Sequence, residues 1–281
     1  MRELGRGDEA GSDQLAPVGA GKPFAELVAT KVVPVAELTH IFRQAAGSMI
    51  VRGAHAVRQG GAPSFAAEEG LERDLFLVER TDPAAALEEV VSLVTERLPS
   101  HYGIDPVADI QVFAPVYRGA LGIDVLNDRL RARLNPDGRP VLGGRLRTGD
   151  KLMLSGRNLH DLGLMNGTTV RLIEHDEDAE ALTISAEGAV LALPEAEAGG
   201  LRLAYACSVH RGQGIELPVA VVIAHPAAGA FFLRREMLYT AMTRARQATV
   251  VVGTRAVVAR AAATPDTSRR YGRLGERLAV A

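Results

Sequence analysis

Residues 74–115 read DLFLVERTDPAAALEEVVSLVTERLPSHYGIDPVADIQVFAP, and the order of the elements they encode settles the class of the chain. DLFLVE has the apolar, β-branched character of a strand. Asp82 is a candidate N-cap and Pro83 fits the first helical position. Leu87, Val90, Val91, Val94 and Leu98 then fall along one stripe of an amphipathic helix. After a Tyr-Gly-Ile loop, DIQVFAP reads as a second strand, and GIDVLNDRLRARLN reads as a second helix that ends near Asn135-Pro136. Strand, helix, strand, helix implies a parallel sheet with helices packed on it.

Downstream the grain changes. From about Gly144, the segments GDKLMLS, TTVRLIEHD, ALTISAEG and AVLALPE are short and alternating, with turn signals at Asn166-Gly167 and Glu187-Gly188. They predict a small antiparallel β unit inserted in the α/β domain, with EHDEDAEA as a solvated hairpin. After residue 200 the α/β pattern resumes with LRLAYACSV as a strand, PVAVVIA as a strand, LRREMLYTAMTRAR as a helix and TVVVGT as a strand. No internal repeat is evident.

Composition bounds the function. The chain has 281 residues, 47% of them hydrophobic and 23% charged, enough for one large core or two smaller ones. A net charge of −2 removes the overall basic field that advertises nucleic-acid binding, so such a site has to be a local cluster of Arg. Aromatic residues are 4% of the chain and Trp is absent, which limits platforms on which bases stack. The single cysteine, Cys207, cannot form an internal disulfide; it fits a reducing compartment and the role of a small buried hydrophobe. LPVAVVIAHPAAGAFFL is broken by two prolines and His225, and the N-terminus lacks an apolar run of signal length. The expectation is a soluble, cytoplasmic protein with no membrane partner.

Two segments carry chemistry. In SVHRGQGIELP, residues 208–218, glycines stand beside donors and one carboxylate. Ser208 can cap the turn, free N–H groups with Arg211 can hold a phosphate, and Glu216 can accept from a sugar hydroxyl. The same residues also suit a polar turn joining two buried strands. In LYTAMTRARQ, Thr240, Thr243 and Arg244 share one face of a predicted helix, and arginine suits a developing phosphate charge because it is planar, permanently charged and bidentate. A surface ion pair is the other reading of Arg244.

In order along the chain, DQLAPVGAG (13–21), IFRQ (41–44), APVYRG (114–119), AYACSVHRGQGIEL (204–217) and LYTAMTRAR (238–246) resemble motif III, motif IV, the DNA-contacting segment after it, motif V and motif VI of RecD-like superfamily 1 DNA helicases. The resemblance covers nearly the whole chain from residue 13 onward. It implies an α/β, RecA-like parallel sheet with flanking helices, interrupted by a small antiparallel SH3-like insertion. The implied division is a remnant of a first RecA-like domain over 1–30, the second RecA-like domain over 31–143 and 201–281, and the insertion over 144–200.

Residue by residue, the resemblance implies that Gln14 senses the terminal phosphate of ATP and that Arg43 and Arg244 reach it, Arg244 as an arginine finger. Gln213 and Gly214 would lie beside the nucleotide and Glu216 on its ribose. Arg118, Ser208, His210 and Thr240 would lie near the DNA backbone. The implied activity is ATP-dependent 5′-to-3′ DNA unwinding, with ATP and Mg2+ as cofactors and single-stranded DNA as partner.

The chain departs from the pattern in places. APVGAGKPF has Ala16 where the first glycine of a phosphate loop belongs and Pro23 where the Mg2+-binding hydroxyl belongs, so Lys22 reads as a surface residue. GDEAG at 7–11 lies too close to Gln14 to be the acidic motif II, and Gly212 stands where the family commonly has serine. The expectation is therefore a C-terminal motor half, inactive alone and lacking Mg2+ ligands, whose first RecA-like domain is missing or comes from a separate chain. The alternative is a nucleotide-independent module that binds single-stranded DNA or a partner.

Overall fold

The computed structural model describes residues 15, 23–30, 47–266 and 274–278. Gln14 and Arg43 lie outside the described residues. Helix α1 (Pro23–Thr30) packs against the C-terminal helix, and Ser48 caps helix α2 (Met49–Arg58), its Oγ accepting from Val51 N at 3.2 Å.

The segment that opened the analysis folds as strand β1 (Leu75–Glu79), helix α3 (Pro83–Ser92) and strand β2 (Ile110–Phe113). Asp82 is the N-cap of α3, accepting from Ala85 N at 2.7 Å, and Pro83 occupies the first turn. The helical path continues through a wide π turn, Leu93–Arg97, into α4 (Leu98–Tyr102). The wide turn falls where Pro99 has no N–H to return to the preceding turn. Helix α5 (Ile123–Leu134) follows.

Strands β3 (Pro140–Val141) and β4 (Leu146–Arg147) form a small hairpin. Next come β5 (Lys151–Leu154), β6 (Thr169–Asp176), β7 (Ala181–Ala186), β8 (Ala189–Pro194) and β9 (Leu201–Leu203). These five make an antiparallel sheet in the order β8-β7-β6-β5-β9 around a core of Leu152, Val170, Leu172, Leu182, Ile184 and Leu193. Glu187 and Gly188, both with positive φ, join β7 to β8 in a two-residue turn, as the Glu-Gly signal suggested. Antiparallel pairing thus spans Pro140 to Leu203, wider than 144–200.

The chain then returns to the first sheet through β10 (Ala206–Cys207), β11 (Leu217–Ala224), α6 (Arg235–Met242), β12 (Ala245–Gly253) and α7 (Arg255–Ala263); α8 (Leu274–Leu278) is last. The sheet is parallel throughout, in the order β1-β12-β11-β2-β10. Both faces are covered, so β11 reads as one apolar run. Val219, Val221 and Ile223 meet the core under α3 and α5, while Ala220, Val222 and Ala224 meet the core under α2, α6 and α7.

One strand reading needs correction. LRLAYACSV is two strands in different sheets: Leu201–Leu203 pairs antiparallel with β5, and Ala206–Cys207 pairs parallel with β2. Gln111 on β2 fixes the bend between them, its Nε2 donating to the carbonyls of Ala204 at 3.1 Å and Tyr205 at 3.2 Å. Asn127 of α5 holds the outer side of β10, donating to Ala206 O at 3.0 Å and accepting from Ala206 N at 2.9 Å.

The two sheets are joined by buried polar groups. Asp150, with no exposed surface, accepts from Arg131, Asn135 Nδ2, Arg147 N and Tyr205 Oη. Beside it Lys151 donates to Ile110 O at 2.8 Å.

Candidate functional site

The loop 208–216 crosses the parallel sheet from one margin to the other. Cys207 is in register with Phe113, and Phe113 with Val222, so β10 ends level with the upper half of β11. The next strand begins back at Leu217, a descent of about 17 Å along the strand direction. Ser208 starts the crossing: its carbonyl accepts from Arg211 N at 3.0 Å and Gly212 N at 3.1 Å. Val209 is buried beneath the loop. Gly212 has no room for a side chain, because a Cβ there would collide with the ring of Phe113. That contact explains why glycine stands at this position.

At the N-terminal margin of β11 and β12 the loop meets the segment before β12. Leu217 N donates to Arg244 O at 3.2 Å. Arg244 is not on a helix face as expected. Helix α6 ends at Met242, Thr243 caps it, and β12 begins at Ala245 with a bulge opposite Leu217–Val219. The side chain still folds back on the helix end, Arg244 Nε donating to Thr240 O at 3.2 Å. Arg244 is 8% exposed. Burial pulls its guanidinium below the ordinary pKa, while the charges of Glu216 and Tyr239 act in the opposite direction. Glu216 and Gly214 are exposed on the loop, Gly214 with a φ of 81°.

Leu15, from the first of the quoted segments, is stitched into this margin. Its N–H donates to Thr240 Oγ1 at 3.0 Å, and its carbonyl accepts from Gln213 Nε2 at 2.5 Å. The side chain of Leu15 packs in the same core as Val209, Leu217, Leu238 and Ala241. Thr240 is 1% exposed and belongs to this margin, away from Arg118; its hydroxyl holds Leu15. Gln213 likewise has its amide engaged.

The C-terminal margin carries Arg118 and the start of the loop. Tyr117, Arg118 and Gly119 are exposed after β2. Arg211 lies 5.7 Å from the Tyr117 ring centroid and donates Nη2 to Ser155 Oγ at 2.8 Å, which ties the loop to the antiparallel sheet. Ser208 is buried at this end, where its Oγ accepts from Arg211 N at 3.4 Å, while His210 is half-buried. A cavity of about 490 Å³ runs from Tyr117 and Arg211 between α5 and β9, past Asp124, Arg145 and Arg202. Arg244, Glu216, Gly214 and Gln213 therefore gather at one margin, and Arg118, Ser208 and His210 at the other.

Residues 203–252, which hold the crossing loop, Arg244 and both central strands, match the profile of the UvrD-like helicase C-terminal domain. The chain is also 33% identical over 237 residues to the ATP-dependent RecD2 DNA helicase of Deinococcus radiodurans, covering 84% of this chain and 30% of that protein. The chain is similar to RecD-like helicases. The RecBCD enzyme subunit RecD of Mycolicibacterium smegmatis is 26% identical, with 92% of this chain and 47% of that protein aligned. The RecD-like chain thus spans from 30% to 47% of the length of these relatives. Among solved structures, the Pif1 helicase of Candida albicans aligns with 86% of this chain and 59% of its own at 16% identity and a TM-score of 0.45. Bacteroides Pif1 in complex with ADP-AlF3 and ssDNA aligns with 77% and 51% at 15% identity and a TM-score of 0.44.

Three features of the RecD-like site escaped sequence reading: the backbone of Leu15, the Phe113 ring under Gly212, and Tyr117 under Arg211. Tyr117 stands next to Arg118 in APVYRG, and an aromatic beside an arginine was the available signal. The other two are contacts between distant segments. Among the described residues, no helix is long and apolar enough to cross a membrane, and no group of three or more His, Cys, Asp or Glu could hold a metal ion.

Proposed function

We propose that this chain is the C-terminal motor portion of an ATP-dependent, 5′-to-3′ DNA helicase that moves along single-stranded DNA. The N-terminal margin forms one wall of the ATP site and the C-terminal margin contacts the strand. The observation that carries the reading is the 208–216 loop, a single short segment with Glu216 beside Arg244 at one margin and Arg211 on Tyr117 at the other. A shift of this loop on nucleotide binding is felt at the strand.

The residues at the nucleotide wall fit a triphosphate by their donor chemistry. Nε of Arg244 is committed to Thr240 O, which leaves the Nη groups to meet the terminal phosphoryl, where such charge is worth powers of ten in rate. Exposed Glu216 accepts from the ribose hydroxyls, and Gly214 leaves room for close approach. Gln213 and Thr240 act at one remove, holding Leu15 and so the segment that precedes it. Arg118 and Arg211 meet phosphates, which position the strand without reading its sequence. Bound ATP supplies the free energy of hydrolysis. APVGAGKPF lacks the first glycine and the hydroxyl of a phosphate loop, so in this reading that loop and Mg2+ belong to the facing wall.

The test uses the purified chain. We expect single-stranded DNA affinity that falls steeply with salt, and no phosphate release. Affinity without a salt slope overturns the strand contact. Mg2+-dependent phosphate release, lost in Arg244→Ala, overturns the inactivity of the chain alone. Strand affinity indifferent to added nucleotide favours a binding module over a motor.

A further inference from the structure

Among the described residues the exposed aromatic side chains are Tyr117, Phe231 and Phe232, at 45%, 76% and 65%, and all three sit on one margin of one sheet. Tyr117 follows β2; Phe231 and Phe232 follow β11, its neighbour in the sheet. The order β11-β2-β10 sets the loops 225–234, 114–122 and 208–211 side by side. Their contact is direct. A Cβ at Gly229 would meet Val116 Cγ1 at 2.5 Å and Phe232 Cδ2 at 3.1 Å, so that ring and the β2 loop press on the same glycine, whose φ of 62° turns the chain there.

The two rings are held outward by buried anchors on either side, Ala228 before and Leu233 after. Arg260 of α7 lies 4.9 Å from the Phe231 centroid, as Arg211 lies on Tyr117. An aromatic ring with a guanidinium beside it, repeated on adjacent loops, suits a polymer that alternates flat π faces with anionic groups.

We propose that Phe231 and Phe232 are a base-stacking station that extends the strand path beyond Tyr117, taking unpaired bases of a single strand while exposed Arg118 faces its phosphates. This rests on the single-strand reading of the margin given above.

The experiment measures anisotropy of labelled oligo(dT) and of an abasic strand of equal length, with the wild type, the double variant Phe231→Ala/Phe232→Ala, the double variant Phe231→Tyr/Phe232→Tyr, and Arg118→Ala. Thermal melting verifies that each is folded. We expect the double alanine variant to bind oligo(dT) about tenfold more weakly, or worse, with an unchanged salt slope and unchanged affinity for the abasic strand. The tyrosine variant, which keeps the π faces, retains wild-type affinity. If the double alanine variant binds oligo(dT) like the wild type while Arg118→Ala weakens it, the stacking station is overturned and the strand contact stands; the pair is then a face for a partner protein. If the wild type has no affinity for oligo(dT), both readings fall.

Discussion

The side-chain amide of Gln213 donates to the carbonyl of Leu15 at 2.5 Å, joining two segments 198 residues apart. With the bond from Leu15 N to Thr240 Oγ1, both backbone polar groups of one buried residue are satisfied by side chains from the crossing loop and from α6. Thr240→Val leaves the Leu15 N–H without a partner, which costs about 1–3 kcal/mol. We expect a melting temperature several degrees lower by calorimetry and faster exchange of the Leu15 amide, with Thr240→Ser close to wild type. An unchanged exchange rate in Thr240→Val would show that the bond does not hold the segment.

Gly212→Ser restores the residue common in the family, yet here we expect it to destabilise. The new Cβ runs into Phe113, and overpacking of this kind costs about 1–3 kcal/mol. Phe113→Leu alone leaves space, and the double variant recovers part of both losses. A double-mutant cycle by urea denaturation reads the coupling, and strict additivity would rule out the contact as the cause.

Arg244→Lys should fail as fully as Arg244→Ala. A lysine cannot keep a donor on Thr240 O and also present a planar fork to phosphate. Titration with a fluorescent ATP analogue is expected to show a similar loss for both variants, roughly tenfold or more, with little change in melting temperature. Wild-type affinity in Arg244→Lys would rule out the fork.

Lys151 gives the chain an alkaline signature. Buried between the two sheets, its amine is pushed down from 10.5 to about 8, burial outweighing the neighbouring Cys207, Asp105 and Asp109. Between about pH 8 and 10.5 the unfolded chain binds the proton that the folded chain has lost, so this group makes stability rise with pH in that window. Cys207 and Tyr205, both pushed up to about 12 chiefly by burial, act oppositely. Their contribution is complete below their ordinary values of 9.0 and 10.0 and is lost as pH climbs towards 12. We expect denaturation free energy to rise from pH 8 to about 9 and then turn over, with the rise abolished in Lys151→Met. A wild-type curve that is flat from pH 8 to 9 would contradict the burial of a charged amine.

The parallel sheet and its helices were legible in residues 74–134, because Asp82, Pro83 and the apolar stripe all favour one local answer. The Glu187-Gly188 turn was legible for the same reason. The division of 201–208 was not, because Leu203 and Ala206 have similar strand character and only the side chain of Gln111, far away in sequence, bends the chain between them. The helix carrying Thr240 and Arg244 was drawn too long. Nothing apolar or polar in MTRAR marks its end at Met242, which is imposed by Thr249 Oγ1 donating to Met242 O at 3.0 Å and by pairing of β12 with β11. Motif spacing drew attention to Gln213, Glu216 and Arg244, and it gave no sign of the bond between Thr240 and the backbone of Leu15, which joins distant segments.

The grip of Asn127 on Ala206 also governs how copies of the chain behave in a crowd. A two-residue terminal strand with free amides would template a neighbour's strand, and that is how sheet proteins begin to aggregate. Both outward groups of Ala206 are already taken by Asn127, so this border of the sheet is chemically silent and a second molecule has nothing there to zip onto.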